Sequence, residues 1–441
     1  IHRDNKCVRQ RLEPGYNEGH WFRYKACLSL SQNSQPLDLT EALAQLFRTL
    51  RPVQDTQTVA LADAVGRIVA AEVVAPVSLP PFRASAMDGY ALRKDDLAQH
   101  PDGSFRVVGE SLAGHPFAGH VDSMECVRVF TGALVPDDCD QVFLQEQTEV
   151  LKDSVRFNGP IPGQSYIRGI GHDIVAGTCL SEPGHQLNAF DTGHLAAAGI
   201  TDVVVYRKIR VGVFSTGDEL VEPGTAPELL KAGQIYDSNR FTVVSLLASA
   251  PCDVTNYGAL ADSPAAVEDA LKQASQACDV LITSGGVSVG DADFVTSAIA
   301  SLGSLGFWRL NLKPGKPLAF GQIDNCYLFG LPGNPVSTIV TLLMVALPAI
   351  TFMAGHPPAA PLAVNATLTS AISHEPGRME FQRGIYTSHA AGLEVTVTGD
   401  QSSNRLSTFS GANCFIEVPK TSGNLAVGST VRVLPFNGLL G

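Results

Sequence analysis

Residues 283 to 291 read Thr283-Ser284-Gly285-Gly286-Val287-Ser288-Val289-Gly290-Asp291, between the apolar run Val280-Leu281-Ile282 and a helical pattern that begins near Ala292. This is a strand, a glycine turn and a helix start. Paired glycines let the backbone approach a bound group closely, and the amides at a helix start offer unpaired donors at the positive end of the helix dipole. A phosphate or similar anion suits such a turn, and so, for Gly285 and Gly286 alone, does an ordinary strand-to-helix connection. The neighbouring turns favour the anion. Lys313-Pro314-Gly315-Lys316-Pro317 puts two cations on a stiffened loop about one βα unit later. Gly330-Leu331-Pro332-Gly333-Asn334-Pro335-Val336-Ser337 follows as another strand-to-helix turn. In a doubly wound sheet such turns gather at the carboxyl ends of the strands, where ligands bind.

The elements that must carry these turns read as a mostly parallel α/β unit over 208–357. Val211-Gly212-Val213-Phe214 is a buried strand, followed by the polar turn Ser215-Thr216-Gly217-Asp218-Glu219. Tyr236-Asp237-Ser238-Asn239 reads as the cap of a helix running through Phe241, Val244 and Leu247, and Asp262-Ser263-Pro264 opens the next helix. Strand and helix alternate up to the apolar stretch after Pro335. That stretch, Val336 to Gly355, is long enough to span a membrane, but it carries four hydroxyl residues and Pro348 and lacks basic flanks. A helix buried against the sheet is the expectation.

Upstream, Asp38-Leu39-Thr40-Glu41 caps a helix with Leu39, Leu43, Leu46, Phe47 and Leu50 on one face, and Leu61 to Val74 reads as a second amphipathic helix. Ser85-Ala86-Met87-Asp88-Gly89-Tyr90 follows; read alone, its Asp-Gly is a turn. Between Phe105 and Leu180 short β-like runs are broken by Gly, Pro and Asp, as in Val127-Arg128-Val129-Phe130-Thr131-Gly132 and the glycine-bearing Ile167 to Ile174. A helical pattern returns between Asn188 and Ala198. The reading is therefore a first domain (36–82 and 174–207) with a β-rich insertion (83–173), then the α/β domain (208–357) and a small C-terminal β domain (358–441) beyond the Pro357-Pro358 linker.

The 441-residue length exceeds one core. With 31 basic and 43 acidic residues the net charge is −12, which argues against nucleic acid or an anionic membrane as the main partner and means an anionic ligand needs local cations. Nine scattered cysteines, none in a CxxC pair, indicate neither a zinc site nor a disulfide framework, and a cytoplasmic setting is the simplest. Residues 1–35 lack the design of a signal peptide and, beginning at Ile1, read as a fragment or extension without assigned function.

Taken together, the Ser85–Tyr90, Thr283–Asp291, Lys313–Pro317 and Gly330–Ser337 motifs resemble the molybdopterin molybdenumtransferase family, MoeA in bacteria and the E domain of gephyrin-like proteins, over about residues 36–441. The resemblance implies an elongated homodimer of four domains per subunit, whose active site lies between the α/β domain and the first two domains of the other subunit. It implies insertion of molybdate into adenylylated molybdopterin, with divalent-cation-dependent hydrolysis that releases AMP. On the family pattern, Lys313, Lys316, Ser337, Arg383 and Ser403 hold molybdate, and the pterin and its phosphate lie along Ser284, Gly285, Gly286 and Ser288. Glu219, Asp262 and Asp293 match acidic positions that hold Mg2+ or another divalent cation, and Asp88, Thr131 and Asp173 match positions reaching in from the other subunit. Arg309 stands where some members have lysine, and His172 where some have glutamate. A molybdopterin adenylyltransferase, itself a possible partner beside molybdoenzyme-maturation proteins, shares the α/β fold but lacks the flanking domains. A non-catalytic gephyrin-like scaffold dimer is the alternative of a different class.

Overall fold

Continuous apolar runs at Ile209–Thr216, Val280–Ser284 and Cys326–Leu331 build the middle of a six-stranded sheet, as expected of strands covered on both faces. The strand order is Cys252–Leu260, Ile209–Thr216, Val280–Ser284, Cys326–Leu331, Pro317–Ile323, Ser304–Arg309. The first four run parallel and the last two are added antiparallel. The computed structural model describes residues 36–261, 263–287, 294–390 and 392–440. The readings attached to residues 1–35, Asp262, Ser288 and Asp293 lie outside the described residues.

Helices cover both faces of this sheet. Val243 and Leu247 of helix Asn239–Leu247 share one apolar cluster with the helix that begins at Pro335, while helices Pro264–Ser275 and Phe294–Leu302 fill a second cluster on the other face. The apolar stretch after Pro335 forms one helix, Pro335–Met353, with a π-helical turn at Leu342–Ala346, and 78% of its most apolar window is buried inside the protein. It is a core helix. Helix Leu39–Thr49 buries Ala42 and Leu46 against it, and the Phe47 and Phe352 rings lie 5.1 Å apart.

Two local expectations are corrected. Asp38 occupies the N-cap position but makes no cap hydrogen bond; its carboxylate accepts instead from Asn311 Nδ2 at 3.1 Å and from Lys420 Nζ. The stretch Leu61 to Val74 is not a helix. Only Leu61–Asp63 forms a 3-10 turn; Gly66 then takes φ +78°, which an α-helix does not tolerate, and the chain continues extended. Ile68 and Val69 bridge to Gln186 and Val205, and Val73–Val74 pairs with Cys179–Ser181, so backbone pairing with a distant segment outweighs the local pattern.

The pairings of Thr56–Ala60 with Asp202–Tyr206, Val73–Val74 with Cys179–Ser181 and Ala84–Ser85 with Ile167–Arg168 bring together chain on either side of a second six-stranded sheet, drawn from residues 89–157. Helix Ala189–Ala197 on the return path is closed by a capping box between Asn188 and Asp191. At the C-terminus, strands Val364–Leu368, Met379–His389, Gly392–Val397, Cys414–Val418 and Thr430–Pro435 pair in a closed ring, a barrel. Leu312–Lys313, from the loop before Pro317, pairs in parallel with Met379–Glu380 and joins the α/β domain to this barrel.

Candidate active site at the carboxyl ends of the parallel strands

The turns that follow the parallel strands Ile209–Thr216, Val280–Ser284 and Cys326–Leu331 meet around a cavity of about 720 Å³, to which the Lys313–Pro317 loop gives only Pro317. Thr216, Gly217 and Glu219 come from the turn after Ile209–Thr216, and Asp237, Ser238 and Asn239 from the start of the following helix. Ser284, Gly285, Gly286 and Val287 supply the floor. Gly333, Asn334 and Ser337 line it from the helix start after Leu331, and the barrel closes one side with Asn404 and Leu406.

Backbone geometry explains the glycines. Gly285 has φ +93°, and a Cβ there would lie 2.6 Å from the Thr216 carbonyl oxygen; a Cβ on Gly286, at φ +67°, would lie 2.6 Å from Val295 Cγ2. The Gly285 amide donates to Leu331 O at 3.0 Å, so this one donor braces the turn and is not presented to a ligand. Asn239 ties the two glycine turns together, donating from Nδ2 to Ser284 Oγ at 2.8 Å and to Gly333 O at 2.7 Å. The Thr216 hydroxyl on the cavity wall is buried and has no hydrogen-bond partner, as is that of Thr283 behind it. Buried hydroxyls are rarely left so, and a polar group of a bound molecule would satisfy the one at Thr216.

Charges divide into committed and available. Asp237 is buried, accepting on Oδ2 from Ser215 Oγ at 2.5 Å and Arg240 Nε at 2.8 Å, and on Oδ1 from the Arg240 amide at 3.2 Å. Arg240 also reaches Asn256 at 2.7 Å and pairs with Glu222. That carboxylate is fully matched. Glu219 is exposed at the rim and folds over Gly217, where a Cβ would lie 2.5 Å from its Oε2. Among the described residues no group of three or more His, Cys, Asp and Glu is gathered to hold a metal ion, and Asp262 and Asp293 fall outside them.

Of the residues singled out from sequence, Glu219, Ser284, Gly285, Gly286 and Ser337 line the cavity. Four others stand behind its barrel side. Ser403 accepts from Asn334 Nδ2 at 3.1 Å, and its carbonyl accepts from the Val336 amide at 3.0 Å, docking the barrel loop on the start of the core helix. Lys316 is exposed and immediately precedes Pro317 of the lining; Lys313 donates to Glu380 Oε2 at 3.2 Å. Arg383 is completely buried. Its guanidinium donates to Thr408 Oγ1 at 3.0 Å and to the carbonyls of Asp400, Gln401 and Ser402 at 3.2 Å each, and desolvation pushes its pKa down to about 10. It still carries its charge at neutral pH, and it shapes the 400–404 loop without itself lining the cavity.

Asp88 and Thr131 are brought together away from this lining. Asp88 Oδ1 accepts from the Thr131 amide at 2.7 Å and from its hydroxyl at 2.9 Å, and these bonds hold the carboxyl below its ordinary range, the amide contributing most. Asp173 is exposed, its amide bonded to Leu79 O at 2.9 Å. The sequence reading named Thr216 and Asn334 only as members of their turns, missed Asn404, and saw in Asn239 only part of a helix cap. The Tyr236–Asn239 polar run was the available signal, but nothing local says which turn a cap residue will face.

Residues 37–199 match the MoeA N-terminal region (domain I and II), residues 212–351 the probable molybdopterin binding domain, and residues 365–436 the MoeA C-terminal region (domain IV). The chain is 42% identical over 409 residues to a molybdopterin molybdenumtransferase of Haemophilus influenzae, covering 92% of this chain and 100% of that protein. The chain belongs to the molybdopterin molybdenumtransferase (MoeA) family. A gephyrin of Dictyostelium discoideum is 31% identical, the alignment covering 92% of this chain and 62% of that protein. A solved MoeA protein of Pyrococcus horikoshii superposes with TM-score 0.79 at 28% identity, over 91% of this chain and 100% of that one. In MoeA terms the cavity belongs to the molybdopterin-binding domain, with one wall from domain IV.

Proposed function

We propose that this chain inserts molybdate into adenylylated molybdopterin and hydrolyses the adenylyl linkage, releasing AMP. The observation that carries this reading is the cavity where two glycine turns, bridged by Asn239, face a barrel loop across the carboxyl ends of a parallel sheet. Such a site suits a phosphate-bearing ligand. In this reading the ligand lies along Ser284 to Ser288, and molybdate, a dianionic substrate, is met by Lys313, Lys316, Ser337 and Ser403, with Arg383 holding the barrel loop that carries Ser403. Two cations and two hydroxyls answer its charge and its acceptors.

Glu219 fits a divalent cation because its carboxylate is exposed at the cavity rim, whereas Asp237 is matched to Arg240. Mg2+ held by Glu219, Asp262 and Asp293 would supply charge neutralisation at the phosphates. The protein's own share is to orient the linkage through the bridged turns and to limit water with the barrel loop. The reading includes a homodimer in which Asp88, Thr131 and Asp173 serve the second subunit's cavity. The Asp88–Thr131 pair stands apart from this subunit's own cavity lining, and Met87, next to Asp88 in the chain, is an exposed apolar side chain, which supports it. A reducing, cytoplasmic setting agrees with the seven described cysteines, all free. The adenylylated substrate requires an upstream adenylyltransferase.

The test is AMP release from adenylylated molybdopterin by the purified chain, with and without molybdate and magnesium. Release that needs both ions is expected. An intact dimer that binds no pterin and releases no AMP would instead make the protein a scaffold.

A further inference from the structure

Where the 313–317 loop meets the barrel, a lysine is paired with a carboxylate that has almost no contact with water. Glu380 is 2% exposed. Its Oε2 accepts from Lys313 Nζ at 3.2 Å and from His374 Nδ1 at 2.7 Å, and its Oε1 accepts from Gln382 Nε2 at 3.1 Å. His374 is itself 4% exposed, and its Nε2 is buried without a partner. Donating to the Glu380 carboxylate places a proton on Nδ1, while Nε2 makes no hydrogen bond of its own. His374 therefore acts on Glu380 alone, as a fixed donor. Its amide is held in turn by Asn424 Oδ1 at 2.9 Å.

Lys313 differs from its partners in being half exposed, with only one donor drawn to Glu380. A lysine side chain has four rotatable bonds, and ordering it on a ligand costs affinity unless the ordering is already done. The backbones reinforce the pairing, since Lys313 and Glu380 are register partners in the short parallel ladder joining the two domains. We infer that Glu380, oriented by His374 and Gln382, is a positioning residue for Lys313, fixing the ammonium at the junction of the α/β domain and the barrel before the oxyanion substrate arrives. This rests on the reading that Lys313 meets molybdate.

The experiment measures the half-saturating molybdate concentration and the maximal rate of AMP release with the full chain and its substrate. Glu380→Gln keeps the shape and one acceptor but loses the charge; it is expected to raise the molybdate requirement about tenfold, the scale of lost preorganisation of one long side chain, while the rate at saturating molybdate stays within about twofold. His374→Leu should show the same rise. His374→Asn, which retains a donor at the same position, should hold the rise to about twofold, by the same reasoning from a kept hydrogen bond. In a Lys313→Ala background Glu380→Gln should have no further effect on the molybdate requirement. An unchanged requirement in Glu380→Gln, or an effect fully additive with Lys313→Ala, overturns the inference and leaves the molybdate reading standing. A Lys313→Ala variant with an unaltered molybdate requirement overturns both.

Discussion

Gly285 shows how one residue can be fixed by its surroundings. At φ +93° a side chain is strained whatever the space, and here the space is also taken by the Thr216 carbonyl. Gly285→Ala is expected to cost about 2 kcal/mol of stability and to move the Thr216 turn away from Ser284. Denaturant unfolding reads the first effect, and a loss of pterin binding larger than the loss of fold reads the second. Arg383 makes the complementary point. Its charge at a motif position suggests contact with an anion, yet it is fully buried and bonded to three loop carbonyls, because a guanidinium with several fixed donors matches a curled backbone as well as it matches an oxyanion. Its bonds hold the loop that leads into Ser403 and Asn404.

At the scale of elements, the parallel sheet is pinned at its amino end, opposite the cavity. Asp279, just before strand Val280–Ser284, accepts from Arg207 at 2.6 and 3.0 Å and from Arg210 side-chain nitrogens at 2.8 and 3.3 Å, and Arg207 continues to Asp55 at 3.0 Å. Burial alone would raise the Asp279 pKa, but the bonds to Arg207 and Arg210 outweigh it and bring the value down to about 2. An ordinary aspartate titrates near pH 4. Because the folded value is depressed, the contribution, about 2 kcal/mol, is fully present above about pH 4 and is lost as the pH falls toward 2. Chemical denaturation between pH 5 and pH 2 should show this loss, and Asp279→Asn should flatten that part of the profile while lowering stability at pH 5. Equal slopes for the two proteins would refute the assignment.

For the whole molecule, the question is what holds the barrel against the α/β domain so that it can wall the cavity. The ladder at Lys313–Glu380 and the docking of Ser403 on Asn334 and Val336 are partly enclosed; a further tie to the barrel, from Asp38 of the N-terminal region to Lys420, is not. Both of its side chains are 40% exposed or more, so screening by solvent and salt limits its worth. Lys420→Ala should lower stability by less than about 1 kcal/mol, with the difference shrinking further at high salt, and should leave AMP release unchanged. A larger, salt-independent loss would mean that this tie closes the barrel on the site.

Much of this architecture was written in local pattern. The alternation of buried strands with polar glycine turns and helices over 208–357 announced a mostly parallel sheet with polar turns gathered at its carboxyl end, because strand burial, helix periodicity and turn chemistry each act within a few residues. The long apolar helix was legible as core for the same reason, from its hydroxyls, its proline and its missing basic flanks. What local pattern could not decide was partnership. Leu61 to Val74 has helical spacing but pairs as extended chain with residues more than a hundred positions away. Asp38 looks like a cap and serves as a tie between domains, Asn239 looks like a cap and joins two turns, and Glu380 and His374 drew no notice until the barrel placed them beneath Lys313. A side chain's type sets which bonds it can make, whereas its partner is chosen by the tertiary fold, which alone brings distant donors and acceptors within hydrogen-bonding reach and removes the water that would otherwise satisfy them.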